Sequence, residues 1–421
     1  MTLQAETAEG RAQILVRHGF NLDLVPSRLV LDDYQTDSLM HRAYPSFPAQ
    51  QDADRELDEQ LSNAFAGLFN LPQVIAVAQG RLAEALLVNA LVSPGDCVLG
   101  SAPFPTLEAH VRLKGASLCS VTTVDGNGAF AADLDSAALE RAIRRVGRQR
   151  VPFIVLEPCT NAIGGAPMSV ENLQVIKAVA ARHGIALILD ATRIISNACL
   201  VREHASGWHD SDELHIVKAM CELADGVLMS ATKEMPTTIG GFLALRERAL
   251  FERCLDQALI FGSGLDLMGK RRLLAAMHEP SGLVERVRAR IDQVRRLHGL
   301  VGAGRGLSAG AHGLFLHGSA AFAGMAAHLC PARAFLNHLY VSHGVRGALN
   351  PGASSEQGDA QVRFAIAVPG KSQRALEAAA AAIRAALAET DQFVGLEEVY
   401  RPKGMAGGLL ATYRQAGGMH A

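Results

Sequence analysis

The sequence predicts an α/β fold: a large domain on a mainly parallel seven-stranded sheet, plus a smaller α+β domain formed from the two termini. Two observations lead there. From about residue 54, short apolar runs bounded by turn residues alternate with helical patterns, as in a parallel sheet covered by helices. After about residue 285 the rhythm changes to a long charged helix over 283–298, a Gly-rich stretch over 302–313, further strand and helix candidates, and an Ala-rich helix over 372–389. The expected domains are 1–53 (N-terminal arm and part of the small domain), 54–284 (large domain) and 285–421 (C-terminal small domain).

Taken in order, the expected strands are 74–78, 97–100, 120–124, 153–157, 186–190, 226–230 and 241–245, each a short apolar run with turn residues at its ends. Helices are expected over 81–91, over 106–114 before Gly115, and over 171–183, where Gly184 supplies a stop. No 20–50-residue period repeats, which argues against a solenoid.

Composition bounds the function. With 421 residues, 49% apolar and 19% charged, the chain reads as an ordinary globular enzyme subunit. A formal net charge of -2 with scattered Lys and Arg offers no single-sign field for nucleic acid or an anionic membrane. The seven cysteines form no CxxC pair and read as reduced core thiols. The N-terminus lacks the basic flank and apolar stretch of a signal peptide, and no uncharged run reaches the roughly 18 residues of a membrane span, so a cytoplasmic protein is expected.

The chemistry lies at strand ends. Asp190 follows Ala186-Leu187-Ile188-Leu189, which puts its carboxylate at the edge where open α/β sheets bind ligands. Lys233 follows a second strand in Met229-Ser230-Ala231-Thr232-Lys233, before Ile239-Gly240-Gly241-Phe242. An acid that keeps a pyridine nitrogen protonated and an amine that forms a Schiff base are the two groups that hold pyridoxal 5'-phosphate (PLP). Alone, Asp190 would read as a helix N-cap and Lys233 as a solvated lysine. Arg193, three residues past Asp190, can bond the ring's phenolate oxygen.

Further residues fit the same cofactor. Gln79-Gly80-Arg81 joins a strand to a helix, a ready anion site for the phosphate, although Gly at such a turn is usually only geometry. Ser230 can add a hydroxyl to the phosphate. Phe104 offers a ring for stacking, against a plain core role. Asn161, before Gly164-Gly165, can reach the ring oxygen, against an Asx turn. Arg363, between Val362 and Phe364, has the planar fork for an α-carboxylate, against a surface ion pair.

With these residues in view, the chain resembles the tryptophanase and tyrosine phenol-lyase family of β-eliminating lyases, within the aspartate-aminotransferase-like PLP fold (fold type I). The matching pieces are Thr36-Asp37-Ser38, Gln79-Gly80-Arg81, Phe104, the stretch from His110 to Gly115, Thr160-Asn161 with Gly164-Gly165, Asp190-Ala191-Thr192-Arg193, Ala224-Asp225-Gly226, Ser230 to Lys233, Ile239 to Phe242 and Val362-Arg363-Phe364. The resemblance implies Lys233 as the Schiff-base lysine, Asp190 at the pyridine nitrogen, Arg193 and Asn161 near the ring oxygen, and Phe104 stacking. It also implies Gln79, Gly80, Arg81 and Ser230 on the phosphate, Arg363 on the substrate carboxylate, and Thr36 and Ser38 lining the pocket. A homodimer or homotetramer with shared active sites is implied as well.

The departures narrow the expectation. Tyr44 is matched to the family's proton donor to the leaving group, while Arg42 stands where an acidic monovalent-cation ligand belongs, and no metal ligands are assigned. Thr232 replaces a second lysine, Gly404 to Gly408 replace aromatic or histidine positions, and Asn350 falls near the phenol-recognising arginine position. The expected function is therefore PLP-dependent α-deprotonation and β-elimination of an L-amino acid other than Trp or Tyr, through an aminoacrylate, with β-replacement open as a variant. The alternatives are a PLP-dependent aldolase or aminotransferase acting on a small or polar amino acid, and a non-enzymatic scaffold.

Overall fold

A computed structural model describes residues 7–26, 29–34, 54–102, 104–124, 128–262, 265–302, 304, 306–322, 324–350, 361–368, 370–404 and 410–417. The chain divides into two compact units, Ser38–Ala289 and a second formed by Met1–Asp37 with Arg290–Ala421. The later junction falls inside one helix, Pro280–Val301.

The larger unit is built on seven strands: β1 (Gln73–Val77), β2 (Cys97–Gly100), β3 (Ser117–Ser120), β4 (Phe153–Leu156), β5 (Ala186–Asp190), β6 (Gly226–Ser230) and β7 (Gly241–Leu245). Their order across the sheet is β1-β7-β6-β5-β4-β2-β3. All neighbouring pairs are parallel except those made by β7, which runs against both β1 and β6. Because β7 is reversed on both sides, β1 points the same way as the parallel strands, and the C-terminal ends of β1, β2, β4, β5 and β6 share one edge. Val155, Leu156, Leu187, Ile188 and Leu189 are fully buried, each worth about 1.5–3 kcal/mol over exposure. Continuous apolar runs of this kind follow from helices covering both faces.

Helices start and stop where capping chemistry allows. Val170–His183 begins on Ser169, whose hydroxyl accepts the Asn172 amide, and ends on Gly184 at φ 60°. At the opposite edge from the strand ends, Asp225 accepts the Leu187 amide at 2.8 Å and pairs with Lys177 at 2.7 Å, which fixes the start of β6 against β5.

The third strand falls earlier than the expected 120–124. The Gly95 amide donates to the Gly115 carbonyl and the Ser117 amide to that of Asp96, so pairing begins as soon as the chain clears Gly115. The β-branched run Val121-Thr122-Thr123-Val124, which drew the expectation, leaves the sheet after Val121, and Thr123 bridges Leu134 instead.

In the second unit, β8 (Leu307–Ala309), β9 (Gly313–Leu316), β10 (Ala348–Leu349) and β11 (Val362–Ala365) form an antiparallel sheet in the order β10-β11-β9-β8. Helices Ala8–Arg17, Pro331–His343 and Gln373–Ala388 share its core with Phe335, Phe364, Tyr340 and Ile383. Arg346 is buried, pairs with Asp33 and donates to the carbonyls of Leu22 and Val25, tying the N-terminal segment to the C-terminal one.

Gly100, at the end of β2, has no room for a side chain: an added Cβ would lie 1.9 Å from the Val155 carbonyl oxygen on β4. Gly100→Ala is expected to destabilise the protein by about 3 kcal/mol, since backbone must move to relieve the clash. A urea midpoint within error of wild type would show that the two strands are not packed as described.

Candidate active site

The shared edge of the sheet gathers most of the residues singled out above. Asp190 ends β5 and is 6% exposed; its carboxylate accepts the Thr192 amide at 3.0 Å, so it caps the turn Ala191–Arg193 while remaining fixed at the strand end. Capping the turn leaves the carboxylate at the strand end, so the N-cap reading and the expected ring-nitrogen reading do not compete. Thr192 in turn accepts the Ser230 amide at 3.0 Å, joining the end of β5 to the end of β6. Past β6, the turn Ala231–Lys233 packs on the turn Ala191–Arg193, and Lys233 is half-buried between buried Thr232 and Glu234.

Gly80 opens the helix Gly80–Leu91, whose N-terminus has no side-chain cap. A Cβ at Gly80 would stand 2.9 Å from both the Cβ and the amide nitrogen of Ser230, so glycine lets the helix start close on β6. The Gly240 amide donates to the Ala78 carbonyl and the Ala231 amide to that of Gly240, closing β1, β6 and β7 into one junction. Unsatisfied amides and the partial positive charge at a helix start favour an anion there. Gln79 and Ser230 border this junction half-buried, and the Arg81 side chain is exposed.

On the other side of Asp190, Asn161 is buried in the turn Asn161–Ile163 after β4. Thr160 donates to the Ala102 carbonyl at 3.0 Å, which ties that turn to the loop after β2, where half-buried Phe104 leads into the helix Pro105–Leu113. Arg193 is 3% exposed, with its Nη1 3.7 Å from Glu157 Oε1.

Three acids that sequence reasoning did not single out shape this edge. Glu234 is wholly buried and accepts the amides of Ile195 and Ser196 at 2.9 and 3.0 Å, so the residue after the lysine caps the helix that follows Arg193. Glu157 lies one residue beyond the pair Leu156 and Leu189, beside Asp190 on the neighbouring strand. Burial pushes its carboxyl up, Asp190 pushes it further, and Arg193 opposes both. Glu84, on the helix Gly80–Leu91, is pushed up to about 8 by burial, against a hydrogen bond with Thr106. Burial likewise raises Asp190, against its bonds with Thr192 and the charge of Arg193. The available signal for Glu157 was its place directly after an apolar run. Nothing in the sequence marked Glu84.

The remaining expected residues lie elsewhere. Thr36, Ser38 and Tyr44 are outside the described residues. Arg363 and Asn350 belong to the second unit, where both are buried. Arg363 sits in β11 between β9 and β10. Asn350 donates its amide to Gln361, which is itself 3.1 Å from His317 Nε2. Among the described residues no group of His, Cys, Asp and Glu is arranged to hold a metal ion, and no helix is long and apolar enough to cross a membrane.

Comparison with known proteins agrees with this geometry. Solved structures that share the fold include an aspartate aminotransferase from Rhodobacter sphaeroides (17% identical, covering 86% of this chain and 93% of that one, TM-score 0.61). Another is the N-succinyldiaminopimelate aminotransferase from Mycobacterium tuberculosis (19% identical, covering 88% and 98%, TM-score 0.63). In sequence, the tyrosine phenol-lyase of Symbiobacterium sp. strain SC-1 is 30% identical, covering 95% of this chain and 93% of its own length. The tryptophanase of Hyphomonas neptunium is 32% identical over 60% of this chain and 58% of its own. Residues 50–346 match the family model described as beta-eliminating lyase. The match of residues 50–346 to that family model, with 30% identity to a tyrosine phenol-lyase over 95% of the chain, places the chain in the beta-eliminating lyase family.

Proposed function

We propose that the chain uses PLP to eliminate the β-substituent of a small or polar L-amino acid, with Lys233 as the working amine. The observation that carries this reading is the convergence, at one sheet edge, of the Lys233 turn, buried Asp190 and the uncapped helix start at Gly80 against Ser230. This donor set fits the cofactor: an amine for its aldehyde, an acid for its ring nitrogen, and a glycine cradle with a hydroxyl for its phosphate.

Bound PLP would supply an electron-withdrawing ring that stabilises negative charge at the substrate Cα. Asp190 would hold a proton on the ring nitrogen, and its cap bond to Thr192 keeps the carboxylate aimed while burial strengthens the interaction. Arg193 and Asn161 would bind the ring oxygen, and Phe104 would cover one ring face. Gln79, Gly80, Arg81 and Ser230 would bind the phosphate. Lys233 Nζ would hold the aldehyde and then move the Cα proton as general base. Arg363 would bind the substrate carboxylate, with Thr36, Ser38 and Asn350 bordering the side chain and Tyr44 donating to the leaving group.

The proposed preference against Trp and Tyr rests on where aromatic surface is spent. Phe65, Phe69 and Phe242 pack on one another in the larger unit, and Phe322, Phe335, Phe364 and Phe393 do so in the other. Asn350 is engaged with Gln361 and cannot supply a cation to a phenol. A panel of L-amino acids assayed for pyruvate and ammonia is expected to show faster release from β-substituted substrates without an aromatic ring. Faster turnover of Trp or Tyr would remove the preference; glycine plus an aldehyde, or transfer of the amino group to a keto acid, would replace elimination with aldol cleavage or transamination.

Lys233→Ala is expected to lose borohydride-reducible attachment of PLP and to lower kcat by about 10²–10⁴. A pyridoxyl label retained on another lysine would reassign the role. Arg363→Ala is expected to raise KM roughly 10- to 100-fold, as loss of a charge-assisted hydrogen bond does. Unchanged affinity for carboxylate-bearing ligands would exclude Arg363 from substrate binding.

A further inference from the structure

Buried acids at this sheet edge outnumber buried bases. Glu84, Glu157, Asp190 and Glu234 are all 6% exposed or less, Glu234 being engaged with the Ile195 and Ser196 amides, while Arg193 is buried and Lys233 half-buried. Asp190 acts on Glu84 and Glu157, and Glu157 acts on Glu84. The buried cation among them is Arg193, and it lies beside Glu157 Oε1. Arg81 also acts on Glu84, but its side chain is exposed. Glu157 Oε2 is buried with no hydrogen-bond partner. Glu157 and Asp190 stand at neighbouring strand ends with Glu84 acting on the same place, and carboxylates crowded in low dielectric do not all ionise.

Among the described residues, the Ser101 hydroxyl accepts the Glu157 amide at 3.1 Å, the Phe104 amide and Thr160 act to lower its carboxyl, and Asp190 and Arg193 flank it from β5 and the following turn. Glu84 approaches from the helix Gly80–Leu91. The Thr160 hydroxyl donates to the Ala102 carbonyl, so towards Glu157 it can only accept a hydrogen bond, while Asp190 stands at the strand end where a ring cation would be set.

We propose that Glu157 holds a proton that leaves when the protonated pyridine ring of the cofactor is set against Asp190, so that the site exchanges a proton for a ring cation. This rests on the reading of Asp190 as the ring-nitrogen partner. The exchange balances: the Glu157 O–H bond breaks, its proton passes to solvent, the ring nitrogen keeps its own proton, and no electrons move. Glu157 is thus a positioning residue, acting through Asp190 and Arg193. Burial, which raises the Glu157 carboxyl, agrees in direction.

The test uses 4'-deoxypyridoxine 5'-phosphate, which has the ring and the phosphate but no aldehyde, so imine formation does not contribute. Its hydroxypyridine ring is a zwitterion near neutrality and arrives with its nitrogen protonated. Calorimetric titration of the apoprotein in two buffers of different ionisation enthalpy counts the protons. Wild type is expected to release about one proton per site more than Glu157→Gln, and its affinity should rise roughly tenfold per pH unit relative to that variant between about pH 6 and about pH 8.

Equal proton counts in two proteins that both bind the probe would overturn the proposal and leave the cofactor reading standing. Loss of the release in Glu84→Gln alone would overturn it in favour of Glu84. Failure of wild type to bind the probe would remove the proposal and the cofactor reading together. Should Glu157→Gln not fold, wild type titrated with the probe and with inorganic phosphate decides: about one extra proton released with the ring supports the exchange, and none overturns it.

Discussion

The direction of the strands is the constraint from which the site follows. Parallel strands must be joined by crossovers, so each returns to its start through a helix and the C-terminal ends collect at one edge. Apolar side chains fill both faces, leaving the strand ends and their loops as the place where polar groups stand together without spoiling the core. The reversal of β7 between β1 and β6 extends this edge by one strand. It brings a helix start and the Lys233 turn to the same junction although their positions in the chain are far apart.

Charge accounts for what this arrangement costs. A carboxylate removed from water needs a compensating cation, a proton or hydrogen-bond donors, and the edge that carries Arg193 and Lys233 holds four buried acids, Glu84, Glu157, Asp190 and Glu234. Hydrogen bonds offset part of the cost: Thr192 to Asp190, and the Phe104 amide to Glu157. In the proposed reading, a ring protonated at nitrogen and set against Asp190 would add a positive charge on that side of the acids. Raised carboxyls such as Glu84 favour folding below about pH 4.5 and lose that contribution as the pH rises through about 8.

Legibility in the sequence tracks burial. Runs such as Ala186-Leu187-Ile188-Leu189-Asp190 are buried on both faces, so their ends could be read to the residue. At the sheet margin, β3 pairs on one side only, its pattern is weaker, and the reading slid three residues towards a β-branched run. Asp190 and Lys233 were legible because strand ends announce themselves. Glu84 was not, because a glutamate at an apolar helix position is ordinary in sequence and becomes unusual only when Thr106 and the strand ends close over it. Glu234 was hidden for the same reason: its meaning comes from helix amides 39 and 38 residues earlier in the chain. Arg363 could be placed on a strand from its neighbours, while its role depends on a substrate that the sequence does not contain.

The setting of Lys233 suits the two roles proposed for it, anchor and acid-base group. An amine that holds an aldehyde and later moves a proton needs freedom at its tip and none at its backbone. Glu234 fixes the backbone from one side by capping Ile194–His204, and the Met235 amide donates to the Ala231 carbonyl at 2.9 Å, closing the turn. Thr232 is buried beside it, so the alternation of the turn leaves the lysine as its half-buried member. The helix capped by Glu234 begins directly after Arg193, so a displacement of the lysine turn would pull the ring-binding segment with it. Amine and acid are thereby held in one frame, and in the proposed reading the four carbons of the lysine would supply the motion that chemistry at Cα requires.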